Sequence, residues 1–94
     1  MRLKRRQVYA IRDAIYQTES LISRSDRSQI AEYERDLCAT ACVALWDQDV
    51  PRVLSCLRRL TKAAPERRTK WENVLALTME LLQPKISSEI QLAA

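Results

Sequence analysis

The chain has 94 residues, 47% of them apolar and 5% aromatic, with three prolines and neither glycine nor histidine. That length supports one domain around a single modest core, and the missing glycine and scarce aromatics argue against hairpins and strands, so the fold expected is all-α. Sixteen basic and twelve acidic residues leave a formal charge of +4, while the lack of histidine removes the commonest general base, pH switch and zinc ligand together.

Apolar periodicity predicts a compact bundle of four helices, about residues 3–23, 27–46, 50–63 and 66–83, plus a short C-terminal helix, all in one domain over residues 1–94. In the first helix Val8, Ile11, Ile15, Thr18 and Ile22 recur at steps of three and four and form a core face. A second stripe, Arg2, Arg5, Tyr9, Arg12 and Tyr16, repeats with the same steps elsewhere around the helix. The polar cluster from Ser23 to Ser28 stops this helix, and Asp26 or Ser25 is expected to cap the next, with Gln29 as the capping-box partner.

The second helix places Ile30, Tyr33, Leu37, Ala41, Ala44 and Leu45 on its core side. From Leu37 to Leu45 it is small or apolar around its whole circumference, so it is expected to be the most buried helix. Glu32, Glu34 and Asp36 make its first turns acidic, which suits a helix N-terminus. Asp49 caps the third helix, whose first turn tolerates Pro51 and whose core side is Val53, Leu54, Leu57, Leu60 and Ala64. Arg52, Arg59 and Lys62 fall on the opposite side. Pro65 opens the fourth helix, with Trp71, Val74, Leu75, Thr78, Leu81 and Leu82 at bundle spacing, and Pro84 ends it before a tail bearing Ile86, Ile90 and Leu92. The connections are short, two to six residues, as antiparallel neighbours require.

Charge is unevenly spread: residues 1–25 carry +4, 26–49 carry −4, 50–70 carry +6 and 71–94 carry −2. Twelve of the sixteen cations are arginine, the side chain suited to bidentate phosphate contact and to stacking on rings. No phosphate loop, nucleophile elbow or isolated carboxylate pair is present, so neither catalysis nor a cofactor is expected. Cys38, Cys42 and Cys56 are too few for a closed zinc site without histidine and read as reduced core thiols of a cytoplasmic protein. The longest apolar run, Ala41 to Trp46, falls far short of a membrane span, and no membrane partner is expected.

Cations interleaved with rings are the composition that nucleic-acid backbones select. The candidate binding residues are Arg5, Tyr9, Arg12, Arg52, Arg59, Lys62, Arg67 and Arg68, with Tyr9 and Tyr16 either stacking on bases or packing on protein. In size, arginine content, basic first helix and second basic stretch from Arg52 to Lys70, the chain resembles the small helical subunits of class 1 CRISPR effector complexes. That resemblance implies a non-catalytic role in an antiviral nucleoprotein assembly, holding single-stranded DNA or RNA without sequence specificity beside other subunits or further copies of itself. Two alternatives follow from the residues alone. One is a helical adaptor or chaperone-like module that binds protein through the aromatics of the first helix, Trp46 or the tail. The other is a helix-turn-helix-like regulator built from the second and third helices.

Overall fold

Four α-helices make up most of the chain in a computed structural model that describes residues 2–82. Helix α1 spans Arg5–Glu19, α2 Gln29–Trp46, α3 Val50–Ala63 and α4 Arg68–Leu82, and a 3-10 turn at Pro65–Arg67 leads into α4. α1 packs on α2 and α4, α3 packs on the same two, and α1 and α3 make no close backbone approach. The fold is therefore an all-α bundle in which α1 and α3 are diagonal. The short C-terminal helix expected beyond Pro84 lies outside the described residues.

The core follows the predicted stripes in three of the four helices. Val8, Ile11, Ile15, Thr18 and Ile22 are buried, as are Val53, Leu57, Leu60 and Ala64, then Trp71, Val74 and Thr78, whereas Leu54, Leu75, Leu81 and Leu82, expected inside, are only half-buried. Each large apolar side chain so enclosed contributes about 1.5–3 kcal/mol. α1 is shorter than its pattern suggests. It ends at Glu19, and two tight turns, Leu21 N–H to Thr18 O and Ile22 N–H to Glu19 O, deliver Ile22 to the core from outside the helix.

The connection from α1 to α2, residues 20–28, is longer than predicted and is held by one side chain. Arg35 donates from Nη1 to the Asp26 carbonyl and from Nη2 to the Ser23 carbonyl, both at 2.8 Å. The N-cap of α2 is Ser28, whose Oγ accepts from the Ala31 amide at 3.2 Å, and not Asp26 or Ser25. Asp26 instead accepts from the Ser28 amide at 2.9 Å, and that hydrogen bond holds its carboxyl below the ordinary range. α4 likewise starts later than residue 66, because the chain takes the 3-10 turn first.

α2 departs most from its expected orientation. Its buried row is Ala31, Glu34, Leu37, Cys38, Ala41, Ala44 and Leu45, whereas Ile30 and Tyr33 are 50% and 46% exposed. Nor is α2 wholly enclosed: Val43 and Trp46 are 60% and 55% exposed, since a helix in a ring of four always keeps one side outward. Small residues at Ala31, Cys38, Ala41 and Ala44 on the inward side let neighbouring backbones come close.

The reason for the changed register is Glu34. Its side chain is fully buried and meets three donors: Arg67 Nε at 2.9 Å, Arg67 Nη2, and Trp71 Nε1 at 3.1 Å. Arg67 is itself only 11% exposed at its side chain, and the hydrogen bonds it donates to Glu34 raise its pKa further. The triad bolts α2 to the start of α4. Among the described residues no buried side-chain polar atom lacks a hydrogen-bond partner, so this burial is fully compensated. Arg67→Ala should cost about 3–5 kcal/mol of unfolding free energy in urea titrations, because it strands a buried carboxylate. Replacing both charges, Glu34→Leu with Arg67→Met, should recover most of that loss.

Candidate functional site

α1 carries Arg5, Tyr9, Arg12 and Tyr16 of the predicted second stripe, while Arg2 lies ahead of the helix, which starts at Arg5. Tyr9, Arg12 and Tyr16 stand on the side of α1 next to α2, where Trp46 closes the last turn. The rings of Tyr9 and Trp46 meet edge to face with centroids 5.8 Å apart. The Arg12 guanidinium lies 4.8 Å from the Tyr9 centroid and 5.7 Å from that of Tyr16, a cation held between two ring faces. Its Nη2 also donates to Asp13 at 3.1 Å. Tyr9, Tyr16 and Trp46 nonetheless remain 37%, 51% and 55% exposed. Aromatic area is thus left in solvent, but in one fixed arrangement.

The cluster is built from both ends. Leu3, buried ahead of α1, donates its amide to Gln48 Oε1 at 2.8 Å, and Gln48 Nε2 returns a bond to the Leu3 carbonyl at 3.3 Å. Gln48 sits in the α2–α3 turn at φ 60°, a left-handed conformation that non-glycine residues adopt rarely. Gln7 ties the same end of α1 to α4 by donating to the Leu81 carbonyl at 3.0 Å.

The eight sequence-predicted binding residues do not share a surface. Arg67 must be removed from the set, because it is consumed by Glu34 inside the bundle. Arg5 lies in the first turn of α1, exposed, whereas Arg52, Arg59 and Lys62 are exposed on α3. With α1 and α3 diagonal, their outward faces point in different directions. Arg52 lies 3.7 Å from Asp49, and Arg68 lies 3.5 Å from Glu72. The pairs the structure does bring together are Tyr9 with Arg12, and Lys62 with Arg68, which border a cleft at the α3–α4 corner with Thr61 and Pro65. Among the described residues Arg5, Arg59 and Lys62 have no carboxylate within ion-pair distance.

A larger cleft, unremarked in the sequence, opens beside Tyr16. It measures about 570 Å³ and is lined by Tyr16, Glu19, Ser20, Ile22, Arg24, Arg27 and Arg35. Its sequence signal was the arginine-bearing polar cluster after α1, which reads simply as a helix stop. Glu32 serves two of these arginines, Arg35 at 3.2 Å and Arg27 at 3.5 Å.

The three cysteines are free, and burial raises the thiol pKa of each. Cys38, buried beside the Glu19 carboxylate, is raised furthest. No group of three or more potential metal ligands occurs among the described residues. No protein-family model, curated protein or solved structure matches this chain.

Because native Cys38 keeps its proton above the ordinary thiol value of 9.0, where the unfolded chain releases it, stability should fall as pH rises past that value. Cys38→Ala should flatten the alkaline decline in melting temperature. An unchanged slope would assign the decline to other groups.

Proposed function

We propose that this chain is a non-catalytic helical module that docks another protein through the surface formed by Tyr9, Arg12, Tyr16 and Trp46. The observation that carries this reading is the interlocked aromatic cluster. Tyr, Trp and Arg are the side chains that dominate binding hot spots, and here they are exposed yet held by one another, so little rotamer freedom remains to be lost on binding. The helix α2 supports it too, since Val43 and Trp46 leave its outer side apolar. Free thiols fit a reducing, cytoplasmic setting.

A second reading, binding of single-stranded nucleic-acid backbone as in the CRISPR small subunits that the chain resembles, is favoured by Arg59 and Lys62, which among the described residues have no carboxylate within ion-pair distance. It draws less support from the rings, because Arg12 occupies the slot between Tyr9 and Tyr16 that an inserted base would need. The helix-turn-helix alternative is weaker still: the first turn of α3 offers Val50, Pro51 and an Arg52 already beside Asp49.

The two readings separate by mutation. A protein partner retained from nuclease-treated lysate of the source organism should be lost with Trp46→Ala plus Tyr9→Ala and kept with Arg59→Glu plus Lys62→Glu. Under the nucleic-acid reading the charge reversals, and not the aromatic substitutions, should abolish oligonucleotide binding in anisotropy titrations, with affinity falling steeply as salt rises.

A further inference from the structure

The aromatic cluster and the arginine cleft are one continuous surface, because Tyr16 belongs to both. Resting on the docking reading above, we infer that the partner is an acidic amphipathic polypeptide segment. Its apolar anchor covers Tyr9 and Trp46, and its carboxylates enter the cleft between α1 and α2 at Arg24, Arg27 and Arg35.

The charge arithmetic of the cleft favours carboxylates. The lining carries three cations, Arg24, Arg27 and Arg35, against one acid, Glu19, and Glu32 is shared between Arg27 and Arg35 at its edge. Arg24 has no ion-pair partner among the described residues. Asp26, near Arg35, accepts from the Ser28 amide, and Glu19 lies beside the Cys38 thiol. Arg35 is also prepared for a ligand. Two backbone carbonyls and Glu32 fix its guanidinium, using three of its five N–H groups. The remaining two have no partner among the described residues and are held in orientation, so binding there orders little new.

Spacing adds a constraint. Tyr9 and Tyr16 are two helical turns apart, about 10 Å along α1, so the partner's anchor and its acids must be separated by a similar distance. A helix presents groups at that separation on one face every seven residues. A nucleic acid would satisfy the arginines, but the slot between Tyr9 and Tyr16 that a stacking base would enter is already filled by Arg12.

The test uses the full chain and synthetic peptides that place leucines on one helical face and glutamates two turns away, in both sequence orders, with glutamine versions as controls. By fluorescence anisotropy a glutamate peptide should bind about tenfold tighter than its glutamine control. Arg24→Glu plus Arg27→Glu should erase that preference and transfer it to a lysine peptide, and circular dichroism checks that this exposed pair leaves the fold intact. Trp46→Ala should weaken both peptides alike. Equal binding of glutamate and glutamine peptides, still lost with Trp46→Ala, would overturn the acidic partner while leaving the docking face standing. Indifference of all peptides to Trp46→Ala would remove the docking face itself. A doubled mass in light scattering that Trp46→Ala returns to a single chain would assign the face to a second copy and overturn the proposal.

Discussion

A carboxylate with no exposure to water organises this bundle. Glu34 enters the core side of α2 because Arg67 and Trp71 arrive from the α3–α4 junction with three N–H donors for it. Desolvating the two charges is expensive, and their attraction offsets that cost only when the remaining lone pairs are also met. The indole donor meets one of them. A misregistered α2 would leave Glu34 facing apolar neighbours, so the triad discriminates against alternative packings that an all-apolar row of alanines and leucines would tolerate.

That same residue explains which parts of the architecture could be read from the chain and which could not. The stripe Val8, Ile11, Ile15, Thr18 is legible because each position is apolar or, for Thr18, able to return its hydroxyl to the Ala14 carbonyl. In α2 the inward position at 34 is an acid, so a reading by polarity rotates the first two turns outward by one residue and puts Ile30 and Tyr33 inside. Only knowledge of the partner helix corrects it. The apolar circumference from Leu37 to Leu45 marks a helix whose outer side is left uncovered at Val43 and Trp46 by the described residues, not one enclosed on every side.

The candidate site shows a related limit. Periodicity locates Arg5, Arg52, Arg59 and Lys62 on the outer faces of their own helices, and all are exposed. It says nothing of which helices are neighbours, and the diagonal placement of α1 and α3 separates cations that a linear count groups together. Arg67 illustrates the other half of the difficulty, since the basic run from Arg67 to Lys70 contains one structural arginine beside the exposed Arg68 and Lys70. The aromatic half of the site was legible because Tyr9, Arg12 and Tyr16 share one helix. Trp46 joins them only through folding.

The Gln48 clasp has a mechanical corollary. A glycine at that position would relax the turn's left-handed backbone, yet it would cut the twin bonds to Leu3. Trp46 lies two residues before the clasp, and the strand of chain it grips leads straight into the helix that bears Tyr9. The stance of the indole is therefore governed remotely, by backbone groups 45 positions earlier in the sequence, and whatever loosens the opening residues will slacken the Tyr9–Trp46 pair together with the buried Leu3.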